Sequence, residues 1–208
     1  MFYCIIKLFN ESFIMTNFLY YFLNIFNMLF SLFMIWVMIK LLFIKEYREC
    51  PPYVPSFGQE KKFITQRVGE ILANTTETKT ILDPGCGTGT LLISLAKKFP
   101  QHNFIGIEWG YIPYLITKLK GRKLKNLTVI HNDMFKCSFK EADIIVCFLM
   151  QPLMERFGKK VKEDAKKDLI VFSNSFEIPN IKLSEKIETN RFLFVKNIYV
   201  YKDVFQTL

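Results

Sequence analysis

Asp83, Gly85, Gly87 and Gly89 alternate along ILDPGCGTGTLLISLAKKFP, residues 81–100, after an apolar run and before a helical one. Glycine reaches φ > 0 without a Cβ penalty and lets a ligand lie close to the backbone. The spacing D-x-G-x-G-x-G, with Cys86 inside it, therefore suits a strand-to-helix turn that holds a small molecule. A dinucleotide fingerprint would need glycine at position 90, where Thr90 stands. Glu108 closes the next apolar run, FIGIEWG, nineteen residues after Gly89. A carboxylate so placed can accept from both hydroxyls of an unphosphorylated ribose. The following run ends in VIHNDMF, where Asn132 precedes Asp133 and Met134. The Asp133 side chain can accept from an adenine amine, and the Met134 backbone can touch the ring. Three strand ends thus fit one nucleoside.

These residues need elements to carry them. β-rich and helical segments alternate: strand 80–84, helix 89–99 stopped by Pro100, strand 103–108, helix 111–121, strand 127–131, strand 143–149, helix 151–162 and strand 168–173. Such alternation predicts a parallel α/β sheet. KLSEKIETNRFLFVKNIYVYKD has room for two strands and no helix between them, which predicts an antiparallel hairpin at one sheet edge and seven strands in all. Upstream, Pro51, Pro52 and Pro55 keep the chain extended. Ser56, three residues before Gln59, reads as a capping box opening a helix through about Asn74.

Residues 12–39 carry no charge over 28 positions, and FLYYFLNIFNMLFSLFMIWVMI exceeds the roughly 20 apolar residues of a spanning helix. The run is longer than a signal-peptide core and no small-residue cleavage site follows it, so a retained anchor is expected. Lys40, Lys45 and Arg48 follow the run while only Lys7 precedes it, which places the remainder of the chain on the cytoplasmic side or its topological equivalent. Asn10, Asn17, Asn24 and Ser31 recur every seven residues, with Asn27 near the same face. Such a stripe can hydrogen-bond a second membrane helix, or can reflect an Asn-rich composition. The expected organisation is an anchor at 1–44 with its helix at about 18–40, a linker at 45–57 and a catalytic domain at 58–208.

In order, spacing and strand placement, Asp83, Gly85, Gly87, Gly89, Glu108 and Asp133 make the chain resemble the class I methyltransferase superfamily over roughly residues 50–205. That resemblance implies S-adenosylmethionine as cofactor and a seven-stranded Rossmann-like sheet. Enzymes of this kind acting on planar amines commonly carry Asn-Pro-Pro-Tyr after the fourth strand, where this chain has Phe148-Leu149-Met150-Gln151. PYVPS before the first domain helix, FL-x-x-P after the fourth strand and the preceding anchor resemble the membrane-anchored protein lysine methyltransferases. These include the mitochondrial enzymes acting on the ATP synthase c subunit and on the adenine nucleotide translocase. The resemblance implies that Pro52, Tyr53, Val54, Pro55 and Ser56 close over the cofactor, Pro55 and Ser56 touching it. It implies an integral membrane protein as substrate. Tyr53 and Phe148 are candidates for an aromatic channel wall around the substrate amine, or are ordinary lining aromatics. The family's acid and arginine within the glycine turn are replaced by Thr88 and Thr90. No residue is compelled to be a general base.

Charge supports a rival. The chain carries a net charge of +9. Lys118, Lys120, Arg122, Lys123 and Lys125 form one cluster, and Lys159, Lys160, Lys162, Lys166 and Lys167 another. Clusters like these track phosphates and suit an RNA methyltransferase, or hold a domain against anionic lipid. A small-molecule methyltransferase and a non-catalytic cofactor-binding scaffold complete the alternatives. The five cysteines form no C-x-x-C pair, and His102 and His131 have no metal-ligand spacing, so a reduced compartment and no metal are expected.

Overall fold

The computed structural model describes residues 2–49, 59–164, 166–191 and 194–202, with side chains over 15–39, 60–164, 166–189 and 196–202. The chain divides into two units, Met1–Pro51 and Pro52–Leu208.

The first unit is a single helix, α1, Phe2–Glu49. Within it Met15–Ile39, 25 residues with a mean hydropathy of 2.1, is long and apolar enough to cross a membrane. The Asn24 amide donates to the Tyr20 carbonyl at 2.8 Å, so this member of the polar stripe is used inside its own helix.

The second unit runs α2 Gln59–Ala73, β1 Thr80–Pro84, α3 Thr90–Lys98, β2 Asn103–Glu108, α4 Tyr111–Gly121, β3 Leu127–His131, a 3-10 turn Met134–Lys136, β4 Ile144–Cys147, α5 Gln151–Asp164, β5 Ile170–Asn174, β6 Glu185–Arg191 and β7 Phe194–Tyr201. The seven strands are ordered β3-β2-β1-β4-β5-β7-β6. The first five are parallel. β7 pairs antiparallel with β5 and forms a hairpin with β6. The expected α/β sheet with an antiparallel C-terminal hairpin is therefore the observed fold. The strand expected at 143–149 is only Ile144–Cys147, because the chain turns after Cys147 and Met150 O accepts Leu153 N–H at 2.9 Å to open α5. Ser56 of the expected capping box lies outside the described residues.

Alternation along the strands supplies a core to each face. Ile81, Ile144, Val146, Phe172, Ile198 and Val200 point to one side, against Ile64, Val68 and Leu72 of α2 and Leu91, Leu92 and Leu95 of α3. Leu82, Ile107, Ile145, Cys147, Val171 and Tyr201 point to the other, against Met154, Phe157 and Val161 of α5. His102 is buried and structural: Lys79 N–H donates to its Nδ1 at 3.1 Å, and its Nε2 meets the Leu72 carbonyl at 3.1 Å. This fixes the proton on Nε2 and ties the end of α2 to the amino ends of β1 and β2. Numbering runs outward in opposite directions from β1, toward β2 on one side and β4 on the other, so the carboxyl end of β1 is the switch point where ligands of open α/β sheets bind.

Candidate functional site

β1 delivers the glycine turn to that switch point. Gly85, Gly87 and Gly89 have φ of 97°, 55° and 67°, the left-handed region that the glycine spacing predicts. The turn is fastened from beneath: Gly85 N–H and Cys86 N–H both donate to the Ile107 carbonyl, at 2.7 and 3.0 Å, and Gly89 N–H donates to Cys86 O at 2.9 Å. The Thr117 hydroxyl of α4 donates to Gly87 O at 2.7 Å. Cys86 points inward, where Gly106 leaves room for its sulfur. Burial pushes its thiol well above the ordinary range, with Asp83 and Glu108 adding to the effect, so Cys86 is a packing residue rather than a nucleophile. Gly89 caps α3 without a side-chain hydrogen bond, and no acid stands in the first turn.

Glu108, 8% exposed, is the centre of the arrangement. One carboxylate oxygen accepts Gly87 N–H at 2.7 Å and the other accepts Gly110 N–H at 2.7 Å. Each oxygen keeps a second lone pair, so both remain able to accept from a vicinal diol. Asp83, 7% exposed, faces this carboxylate. Burial, and secondarily the charge of Glu108, raise its pKa to about 8. An acid whose pKa is higher folded than unfolded holds its extra proton in the native state, so its contribution to stability is intact below pH 4 and is lost as pH rises toward 8. Between pH 5 and 8, the wild type is expected to lose stability relative to Asp83→Asn by about 1 kcal/mol per pH unit, read as diverging urea midpoints. Parallel curves would show that Asp83 is ionised throughout.

At the end of β3, Asn132 N–H donates to Glu108 O at 3.2 Å. One oxygen of Asp133 accepts Phe135 N–H at 2.9 Å and so caps the 3-10 turn, and Met134 is buried in the core. Asp83, Gly85, Cys86, Gly87, Gly89, Glu108, Asn132, Asp133 and Met134 thus gather at the carboxyl ends of β1, β2 and β3. Tyr53, Pro55 and Ser56 lie outside the described residues.

Phe148 follows β4. Its neighbour Leu149 reaches the glycine turn, since a β-carbon at Gly85 would lie 3.1 Å from Leu149 Cδ2. Phe148 stacks on Phe176, with centroids 6.5 Å apart and rings inclined by 9°. A cleft of about 310 Å³ is lined by Phe148, Ser175, Phe176, Lys196 and Asn197. The Lys196 ammonium lies 5.9 Å from the Phe148 centroid, within cation–π range. Asn197 Oδ1 is buried without a hydrogen-bond partner. Ser175 has φ of 73°, and its N–H donates to Asn197 O at 2.8 Å, fastening the loop after β5 to β7. Phe176, Lys196 and Asn197 escape the sequence reading because only the β5–β7 pairing brings them beside Phe148. The signal for Phe176 was its position just past a strand end.

Among the described residues no cluster of His, Cys, Asp and Glu could hold a metal ion. The second basic cluster is largely engaged. Lys159 pairs with Glu155 and Lys160 with Asp164. Lys162 donates to Asn180 O, and Lys166 donates to Asp143 and to Glu141 O.

Residues 83–185 match the family model of the ANTKMT methyltransferase domain. A protein-lysine N-methyltransferase of Saccharolobus islandicus (strain REY15A) is 26% identical over 153 residues, covering 72% of this chain and 92% of that protein. A tRNA (guanine-N(7)-)-methyltransferase of Nitrosococcus oceani is 36% identical over 63 residues, covering 29% of this chain and 26% of that protein. Among solved structures, an RNA methyltransferase of Salinibacter ruber in complex with S-adenosyl-L-homocysteine superposes with a TM-score of 0.60 at 17% identity, covering 72% of this chain and 93% of that one.

Proposed function

We propose that the chain, which has the class I methyltransferase fold and matches the ANTKMT methyltransferase domain over residues 83–185, is an S-adenosylmethionine-dependent methyltransferase that methylates a lysine side chain of a membrane-associated protein. When bound, S-adenosylmethionine supplies an activated sulfonium methyl group. The residues present fit it. Glu108 keeps two free lone pairs for ribose hydroxyls, the uncapped start of α3 offers N–H groups to a carboxylate, and the glycine turn leaves its backbone bare. In this reading Asp83 lies beside the cationic part of the ligand, which favours its ionised form.

The observation that carries the lysine reading is the cleft beside Phe148, where a lysine ammonium already lies over one ring of a stacked phenylalanine pair. An incoming lysine would be held by the same aromatic wall. It must lose its proton before its nitrogen can attack, and desolvation of the substrate amine against the aromatic wall would lower its pKa by disfavouring the charged form. Asn197 Oδ1 supplies an acceptor that can orient the neutral amine. The rest is alignment and exclusion of water. The similarity to the Saccharolobus islandicus protein-lysine N-methyltransferase supports this reading. The Met15–Ile39 span supports a substrate in the same bilayer, with tethering raising its effective concentration, and the flanking charges support the catalytic domain's lying on the cytoplasmic side.

RNA methylation is the second reading, favoured by basic residues on and after α4 that are exposed and make no ion pair among the described residues, and by the similarity to the Nitrosococcus oceani tRNA (guanine-N(7)-)-methyltransferase. One experiment separates the two. Full-length protein, radiolabelled cofactor and membranes from a strain lacking the gene are expected to yield a labelled protein band whose label maps to lysine. Phe148→Ala is expected to lower that labelling roughly tenfold, about 1.4 kcal/mol of cation–π and packing contact, with cofactor affinity nearly unchanged in calorimetry. Label confined to RNA or lipid would overturn the lysine reading.

A further inference from the structure

The apolar residues of α4 line its outward side, with Ile112 and Leu119 exposed and Leu115 and Ile116 half-buried. At 3.6 residues per turn, Ile112, Leu115, Ile116 and Leu119 share one face, opposite Thr117 and Gly121, which are buried. Ile112 is 64% exposed, Leu119 63% and Tyr111 61%, and Trp109 just before the helix is 40% exposed. Lys118 and Arg122 flank this face on one side and Lys120 on the other, with Lys123 and Lys125 beyond its end, and all five are exposed. No acidic residue stands between Trp109 and Asn132. Among the described residues Lys120, Arg122, Lys123 and Lys125 make no ion pair, unlike the cluster on α5. An exposed helix normally has the reverse pattern, apolar residues inward and charges outward.

We propose that the outward face of α4 seats on the surface of an anionic lipid bilayer. Ile112, Leu115, Ile116 and Leu119 enter the headgroup boundary, to a depth on the order of 5–10 Å, and the flanking lysines and arginine reach lipid phosphates. Trp109 and Tyr111 belong at the same level, where amphipathic rings collect. Charge complementarity selects this occupant. A second copy docked about a two-fold axis would set five cations against the same five. A nucleic-acid groove would place cations at its centre and offer free ring faces for stacking. Here the centre is aliphatic, and Tyr111, Tyr114 and His131 pack on one another at 5.0–6.4 Å. The candidate span in the same chain would tether the protein to a bilayer.

The protein has two tryptophans, Trp36 and Trp109, so Trp36→Phe leaves Trp109 as the only reporter. Full-length Trp36→Phe protein is reconstituted into vesicles of equal parts phosphatidylcholine and phosphatidylglycerol with brominated acyl chains. Trp109 emission is expected to fall by about half relative to unbrominated vesicles, as insertion to the headgroup boundary requires. The quenching is expected to disappear in vesicles of phosphatidylcholine alone, on adding Leu119→Asp, and on reversing Lys118, Lys120, Arg122 and Lys123 to glutamate. Calorimetric cofactor binding reports whether each variant is folded. Unquenched Trp109 in the folded parent, or quenching that survives charge reversal, would overturn the proposal. So would a single-stranded RNA oligonucleotide changing Trp109 emission where lipid does not, or self-association that Leu119→Asp abolishes.

Discussion

Gly89→Val is expected to lower the stability of the catalytic domain by roughly 3–5 kcal/mol in urea titration, combining a left-handed backbone forced on a β-branched residue with an overpacked contact. Gly89 has φ of 67°, and a β-carbon there would lie 2.5 Å from Thr117 Cγ2 and 3.0 Å from Ile93 Cδ1. Relief would require Thr117 to move, yet its hydroxyl is the donor that holds Gly87 O. The damage therefore spreads from the cap of α3 to the middle of the turn. Gly87 has a similar φ of 55°. From this backbone conformation alone, Gly87→Ala is expected to cost about 1–2 kcal/mol of folding while weakening cofactor binding more. A Gly89→Val midpoint equal to that of the wild type would show that the turn relaxes without cost.

The second large effect is expected at Glu108. Glu108→Ala removes acceptors from Gly87 N–H and Gly110 N–H together with the two sites available to a ribose. Cofactor affinity is expected to weaken roughly 10- to 100-fold, the range for charged hydrogen bonds of 1.5–3 kcal/mol, and stability is expected to fall as two backbone donors lose their partners. Glu108→Gln is informative because it preserves shape. An amide presents one acceptor and one NH₂ donor, so it can satisfy only one of the two facing N–H groups. Calorimetry with S-adenosylmethionine and urea titration on all three proteins separate the two roles. Unchanged affinity in Glu108→Ala would confine Glu108 to holding the loops.

Most of the sheet was readable because its signals are local. Strands 80–84, 103–108 and 127–131 and the helix 111–121 were each bounded by residues that end or begin elements, and the structure places them at the same positions. The glycine turn was readable for the same reason, since φ > 0 is a demand on single residues. Glu108 was harder. Its position at a strand end was visible, but its bonds to Gly87 and Gly110 depend on two loops folding toward one another. The cleft beside Phe148 was half visible, because Lys196 and Asn197 reach it only through the register of β7 on β5. The two lysine clusters looked alike in sequence. Helix periodicity decides that those of α5 find acids and carbonyls, while those around α4 border an apolar outward face.

β7 lies between β5 and β6 in the sheet although it follows both in sequence. The outer edge of β5 therefore stays open until residues 194–201 have been synthesised and inserted. Until then Val171 and Phe172, fully buried in the finished sheet, belong to an unpaired strand edge. The glycine turn and its Glu108 clasp have no such wait, because β1, β2, α4 and β3 are contiguous in the chain. During synthesis at about 5–20 residues per second, the half that carries Gly87 and Glu108 is complete at His131, roughly 60 residues before β7 begins at Phe194. The nascent chain thus passes through a stage in which this half is formed while the far sheet edge can still pair with another chain. Hairpin formation between β6 and β7 followed by pairing of β7 with β5 closes that edge.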